Sequence, residues 1–392
     1  MKADEAAPAT RLVHDEDTAH GTVATPVYRA STVLFPDYAA LQAGEAQRLD
    51  RSTLYYGRMG TPTTRVLEDA LCRLDDSAGA VLSPSGLGAV ADVLQCVLRP
   101  GDHLLMSDNC YGPTRNLCLG HLAALGIDTT FYDPCAGAEQ LAAQLRPATR
   151  LLFLESPGSA TFEVQDVPGL AALARRRGLL TAIDNTWATP LLFNPLDHGV
   201  DLAIQSGTKY LNGHADVMFG VTTTRDPALY DRLRRYVLAT GSHLAPDDAW
   251  LARRGLRTLA ARLRVHEDNG YALAQWLQTR EEVVSVLHPG LPDCPGHGLF
   301  RRDFAGASGL FAVTVDGFDE ARLAAFLDGL ALFGMGYSWG GFESLILPMT
   351  PARSCAAPLP EGRVLLRLHA GLEAVADLQR DLAAAFARAA RG

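Results

Sequence analysis

Among the 35 basic residues of the chain the only lysines are Lys2 and Lys209; the other 33 are arginines. A guanidinium stays protonated inside a protein, whereas an amine in apolar surroundings loses its proton and becomes a base and a nucleophile. Lys2 belongs to a polar N-terminus. Lys209 lies in Gln205-Ser-Gly-Thr-Lys-Tyr210, between the apolar runs Leu202–Gln205 and Val217–Thr223, with the hydroxyls of Ser206 and Thr208 beside it. Upstream, Asp184 ends the apolar run Leu180–Ile183, and Ser85-Gly86-Leu87 joins a short apolar run to a helical pattern. A desolvated amine condenses with an aldehyde. A carboxylate keeps a pyridine nitrogen protonated. The first N–H groups of a helix hold a phosphate dianion. Singly, each feature has an ordinary reading: Lys209 as a lysine kept by drift, Asp184 as a turn residue, Ser85-Gly86 as a helix cap. Together, in this order, they specify pyridoxal 5'-phosphate.

These groups need a frame. Short apolar runs alternate with helical segments from about residue 64. Strand patterns fall at Gly79–Ser83, His103–Met106, Thr129–Tyr132, Leu151–Leu154, Leu180–Ile183, Leu202–Gln205 and Val217–Thr223. Helical patterns fall at Thr64–Leu74, Gly86–Leu98 and Pro168–Arg177. Near-continuous apolar strands separated by helices indicate an α/β domain, a large and mostly parallel seven-stranded sheet covered on both faces. Ligands of such sheets sit beyond the carboxyl ends of the strands, where Asp184, Ser206 and Ser85 lie. After about residue 250 the pattern changes. A long helix over Trp250–Arg280 leads to strands at Val283–Leu287, Leu310–Val315 and Val364–Arg367, with helices at Asp319–Leu330 and Leu372–Arg388. This reads as a smaller α+β C-terminal domain. The division is an extended arm over 1–60, the α/β domain over 61–255 and the α+β domain over 256–392.

Bulk properties exclude several classes. A net charge of -9 argues against nucleic acid. The run Arg175-Arg176-Arg177 reads as a solvated helix end. No apolar stretch approaches the roughly 20 residues that span a bilayer, and the acidic N-terminus lacks the order of a signal peptide. Seven scattered cysteines, with no CxxC pair, suggest neither a zinc site nor a disulfide framework and fit a reducing cytoplasm. The histidines are too dispersed to suggest a metal site.

Over about Tyr55–Asp377 the chain resembles the Cys/Met-metabolism family of fold-type I pyridoxal-phosphate enzymes, and within it the bacterial cystathionine β-lyases. The resemblance rests on Tyr56-Gly-Arg58-Met-Gly-Thr61, Leu154-Glu-Ser-Pro-Gly158, Ile183-Asp-Asn-Thr-Trp187, Gln205–Tyr210, Gly336-Tyr-Ser-Trp-Gly-Gly-Phe-Glu-Ser-Leu345 and Leu366-Arg-Leu-His-Ala-Gly-Leu372. It implies that Lys209 is the catalytic amine, with Tyr111 and Tyr56 as its catalytic neighbours. Asp184 would face the pyridine nitrogen and Tyr111 would stack on the ring. Gly86, Leu87, Ser206 and Thr208 would hold the phosphate, and Tyr56 and Arg58 would reach the phosphate of a neighbouring subunit. Arg367 would clamp the substrate carboxylate, with Ser338, Trp339 and Tyr337 lining the substrate side. The implied assembly is a homotetramer, a dimer of dimers.

The implied activity is β-elimination from L-cystathionine or a related S-substituted cysteine, giving a thiol, pyruvate and ammonia. Family members with γ-chemistry carry Glu-Ser-Leu-Gly-Gly where this chain has Tyr337-Ser-Trp-Gly-Gly341. An apolar wall there crowds a longer γ-substituted substrate, so γ-lyase or γ-synthase chemistry is the alternative. A catalytically silent binding protein of the same fold is a further reading, opposed by Lys209, Asp184, Tyr111 and Arg367. Two departures stand out: β-lyases of this kind have an arginine in place of Met59 and an acid in place of Asn116. Losing both charges lowers the expected affinity for the zwitterionic far end of cystathionine. Arg115 is a candidate to compensate.

Overall fold

The structure is a computed structural model that describes residues 6–14, 21–355 and 359–390. Seven strands, β1 (Gly79–Ser83), β2 (His103–Ser107), β3 (Asp128–Tyr132), β4 (Thr149–Glu155), β5 (Leu180–Asp184), β6 (Leu202–Ser206) and β7 (Gly220–Thr224), form one sheet in the order β1-β7-β6-β5-β4-β2-β3. The run β6-β5-β4-β2-β3 is parallel throughout. Only β7 is reversed, antiparallel to both β1 and β6.

Successive side chains of a strand point to opposite faces, so a sheet covered on both sides needs apolar residues at every position. In β4, Leu152 and Leu154 join one core with Leu170, Ala171 and Ala174 of the helix Val167–Arg176. Leu151 and Phe153 join another with Ala89, Val93 and Leu94 of the helix Gly86–Val97. Each such buried Leu or Phe contributes about 1.5–3 kcal/mol, and together they fix which strand ends lie side by side.

The second sheet contains β8 (Val283–Leu287), β9 (Leu310–Asp316), β10 (Leu345–Met349) and β11 (Arg363–His369), in the order β10-β11-β9-β8 and antiparallel throughout. Its apolar face packs on the helices Leu259–Leu277 and Val375–Ala389 through Leu273, Leu277, Leu378, Leu382 and Phe386. The Trp187 indole N–H donates to the Leu310 carbonyl at 2.9 Å and the Gly309 amide donates to the Tyr210 hydroxyl at 3.1 Å, so the first sheet is tied to the start of β9.

Several features depart from the sequence reading. The expected helix over Trp250–Arg280 is two helices, Pro246–Leu256 and Leu259–Leu277. Arg262 spans the break: its guanidinium donates to Gly255 O at 2.9 Å, which also accepts the Thr258 amide at 3.1 Å, to Thr258 Oγ1 at 3.0 Å and to Tyr210 O at 2.9 Å. The edge strand β10 was not expected. The arm is not extended throughout: Tyr38–Ala46 is helical, capped by Asp37, whose carboxylate accepts the Ala40 amide at 2.8 Å. The arm exposes Leu34 (89%), Val23 (82%) and Tyr38 (72%) in the single chain.

Candidate active site

The carboxyl ends of β4, β5 and β6 bring Glu155, Asp184 and Ser206 to one edge of the sheet. Lys209 follows β6 by three residues. Burial and the Arg367 charge lower its amine to about 8, against the opposing pull of Asp184. Its Nζ donates to Ser338 Oγ at 2.6 Å and lies 5.5 Å from the Trp339 ring centroid.

Ser338 and Trp339 arrive on the loop before β10, held against Lys209 by backbone contact. Gly340 has φ +82, and a Cβ there would fall 3.2 Å from Lys209 Cα and 2.8 Å from the Tyr210 amide nitrogen. Its own amide donates to His369 Nε2 of β11 at 3.1 Å. Ser338 sits at φ +86, a left-handed conformation costing a non-glycine residue on the order of 1–3 kcal/mol. Its carbonyl accepts from Arg367 at 3.2 Å while its hydroxyl meets Lys209. One strained residue thus spaces the amine from the guanidinium.

Asp184 is half-buried, and the desolvation pushes its carboxyl up; the Thr186 hydroxyl and amide, donating at 2.5 and 3.0 Å, and the Lys209 charge pull it back. The Thr186 hydroxyl oxygen also accepts the Ser206 amide at 2.8 Å, so Thr186, to which the sequence reading gave no role, locks the ends of β5 and β6 together. Tyr111, 45% exposed, lies in the loop after β2 with its amide donating to Glu155 Oε2 at 2.7 Å.

Ser85 caps the helix Gly86–Val97 by accepting the Gly88 amide at 3.0 Å. The first amides of a helix have no intrahelical acceptor. Gly86 stands so close to β6 that a Cβ would lie 2.4 Å from Ser206 Cβ and 2.5 Å from its Oγ. Gly86, Leu87 and Ser206 therefore form a small polar cradle. The Thr208 hydroxyl donates to Phe219 O at 3.1 Å and accepts the Phe219 amide at 3.0 Å, so it braces the turn before β7.

Two residues singled out in the sequence, Arg58 and Met59, lie apart. Arg58 donates to Leu238 O at 2.7 Å. With Met59 it lines a groove also formed by Glu68, Arg234, Ser242 and His243, a set that includes none of the residues around Lys209. Tyr56 is 41% exposed. Asn116 is exposed one residue beyond buried Arg115. Arg115 does not replace the positive charge missing at Met59: its guanidinium is bound to the Asp108 carboxylate, donates to Ser354 Oγ at 2.9 Å and stacks 3.8 Å over Phe131. Tyr337 is 87% exposed yet near enough to Arg367 to act on its charge, and Trp339 is the aromatic ring beside Lys209.

The family model of the Cys/Met metabolism PLP-dependent enzymes matches residues 9–387. The chain belongs to this family. It is 42% identical to the cystathionine beta-lyase of Salmonella typhimurium over 376 residues, 94% of each chain. It is also 42% identical to the cystathionine beta-lyase MetC of Escherichia coli, again over 94% of each chain. The crystal structure of a cystathionine gamma synthase from Xanthomonas oryzae pv. oryzae in complex with cystathionine superposes with a TM-score of 0.89 at 36% identity, covering 100% of this chain and 99% of that one. The architecture is therefore fold-type I and the cofactor is pyridoxal phosphate. The residues present fit it: a helix start so close to Ser206 that one Cβ would overlap it, a half-buried carboxylate at a strand end, and an amine lowered to about 8.

Proposed function

We propose that this member of the family is a carbon–sulfur lyase that cleaves the Cβ–S bond of S-substituted L-cysteines, L-cystathionine among them, and with water releases a thiol, pyruvate and ammonia. The observation that carries this reading is the Lys209 amine, lowered to about 8, under the charges of Asp184 and Arg367, bonded to Ser338 and with Trp339 beside it.

Bound pyridoxal phosphate supplies an electron sink for negative charge at the substrate α-carbon. With the cofactor bound, Asp184 would keep its ring nitrogen protonated and Tyr111 would lie against its ring, while the Gly86 and Leu87 amides with the Ser206 hydroxyl would hold its phosphate. Arg367 pairs with the substrate carboxylate through its planar fork and so aims the α-hydrogen. Lys209 Nζ, steadied by the Ser338 hydroxyl, takes that proton and returns one to the departing sulfur. Because Arg58 is bound to Leu238 O and lines a groove that holds none of the residues around Lys209 of its own chain, we place it and Tyr56 on the phosphate of a neighbouring subunit. The arm bearing Leu34, Val23 and Tyr38 would then be covered by a second copy, in a homotetramer built as a dimer of dimers. No helix among the described residues is long and apolar enough to cross a membrane; with seven free cysteines, we place the enzyme in the cytoplasm.

A substrate panel tests the reaction. L-cystathionine is expected to yield pyruvate and homocysteine; 2-oxobutyrate as the main keto acid would overturn β-elimination in favour of γ-chemistry. With Met59 and Asn116 neutral and Arg115 committed to Asp108, S-alkyl cysteines are expected to be turned over comparably. A preference for cystathionine of about a hundredfold or more in kcat/KM, worth roughly 2.8 kcal/mol, would end that part of the proposal.

Two further outcomes follow from the geometry. Gly86→Ala is expected to weaken pyridoxal phosphate about tenfold to a hundredfold, because the new methyl overlaps Ser206 and the cradle must open; equilibrium dialysis giving an unchanged Kd would contradict the cradle. Only the unprotonated amine attacks an aldehyde. Cofactor uptake by the stripped enzyme should therefore accelerate as pH rises through about 8 and level off above it. A rate that fell over that range would contradict the role of Lys209.

A further inference from the structure

Glu155 is the last residue of β4 and stands in register with Asp184, the last residue of β5, so the two carboxyl groups are neighbours on one face of the sheet edge. Each Glu155 oxygen has a partner: Oε2 accepts the Tyr111 amide at 2.7 Å and Oε1 meets the Ser159 hydroxyl at 2.5 Å. These partners come from two different loops, one after β2 and one after β4. Among the described residues no arginine or lysine bonds to Glu155. The groups that act on it are Asp184 from β5, the Ser159 hydroxyl and amide from its own loop, and the Tyr111 amide; the buried Cys110 thiol lies next to Tyr111. Asp184, by contrast, has two Thr186 donors and the Lys209 charge.

Two like charges this close in a buried setting do not both persist, and the less supported one takes up a proton. We propose that Glu155 is a positioning residue that works as a protonated acid, fixing Tyr111 and Ser159 while leaving the single negative charge of the pair on Asp184. The direction of the shift agrees: burial, and then the Asp184 charge, raise the Glu155 carboxyl well above its usual range. Both contacts survive protonation. The Tyr111 amide keeps an oxygen to donate to, and the Ser159 hydroxyl serves as acceptor as readily as donor. Glu155 thereby controls the ring that covers the cofactor and keeps the negative charge opposite the cofactor nitrogen.

This inference rests on the site reading above, and Glu155→Gln and Glu155→Ala in the holoenzyme test it. Glutamine imitates the protonated acid, with a carbonyl for the Tyr111 amide and an N–H for Ser159. Alanine leaves the Tyr111 amide unpaired, and kcat/KM for an S-substituted cysteine should fall about tenfold to a hundredfold, as expected of a buried donor without a partner. Glutamine should recover at least about tenfold of that loss and restore the sign and amplitude of the visible circular dichroism of bound pyridoxal phosphate, which reports the ring's placement. A glutamine variant as impaired as the alanine one, or with a collapsed dichroic band, would mean that a charge is required at Glu155 and would overturn the proposal. If the alanine variant does not fold, the dichroism of the glutamine variant against the parent decides by the same criterion. A parent protein that bound no pyridoxal phosphate would overturn the site reading and this inference with it.

Discussion

Lys209→Ala is expected to lower thioether cleavage by about 10⁴-fold or more with pyridoxal phosphate in excess, since the amine is both the cofactor's anchor and the base at Cα. Lys209→Arg should be no better. An arginine keeps the positive charge at this position but never gives up its proton, and the reaction needs an amine that does. The two variants together separate charge from basicity. Both should fold. The single hydrogen bond of Nζ among the described residues is to Ser338, and removing a desolvated amine relieves a burial cost rather than creating one. Pyruvate release under saturating cofactor, with thermal unfolding of the same samples, checks the expectation. An alanine variant within about tenfold of the parent would show that another group takes the α-proton.

Arg367→Ala is expected to lower kcat/KM by about a hundredfold or more, because a substrate carboxylate would lose two charge-assisted hydrogen bonds of roughly 1.5–3 kcal/mol each. Most of the loss should appear in KM, since the carboxylate is held alike before and during proton removal. A smaller share should appear in kcat, because the same pairing aims the α-hydrogen at Lys209. Arg367→Lys should fall between the parent and the alanine variant, keeping charge but losing the planar fork. Steady-state kinetics on one S-substituted cysteine settle it. A KM within about threefold of the parent for the alanine variant would place the carboxylate elsewhere.

The frame was largely legible because its physics is local. Strands covered on both faces read as unbroken apolar runs, and β1 and β8 run over the same residues as their patterns. What stayed hidden depends on partners distant in the chain. The break at Arg257-Thr258 carries no glycine or proline, and the Arg262 guanidinium that spans it is anchored on Tyr210 O, 52 residues away. Strand β10 contains Pro348, which argues against a strand in sequence and is tolerated because β10 is an edge. The helix Pro227–Thr240 buries only Leu233 and Val237, too little to mark an apolar face.

The site divides in the same way. Lys209 was conspicuous because the chain has almost no other lysine, and Asp184 because it closes an apolar run. Glu155 lay inside a quoted motif without a role, since its meaning comes from its register with Asp184 across two strands. Thr186 acts through a contact with Ser206, twenty residues on. The direction of Arg115 could be settled only by the position of Asp108 and the loop at Ser354. The strained backbone of Ser338 leaves no trace in residue type.

The most direct measurement is borohydride reduction of the protein with bound pyridoxal phosphate, followed by peptide mapping of the fixed label. The expected result is one pyridoxyl group per chain on Lys209, with Lys2 and the N-terminal amine unlabelled. Cofactor that washes away unreduced, or a label confined to the N-terminal peptide, would contradict the assignment of this amine and the chemistry built on it.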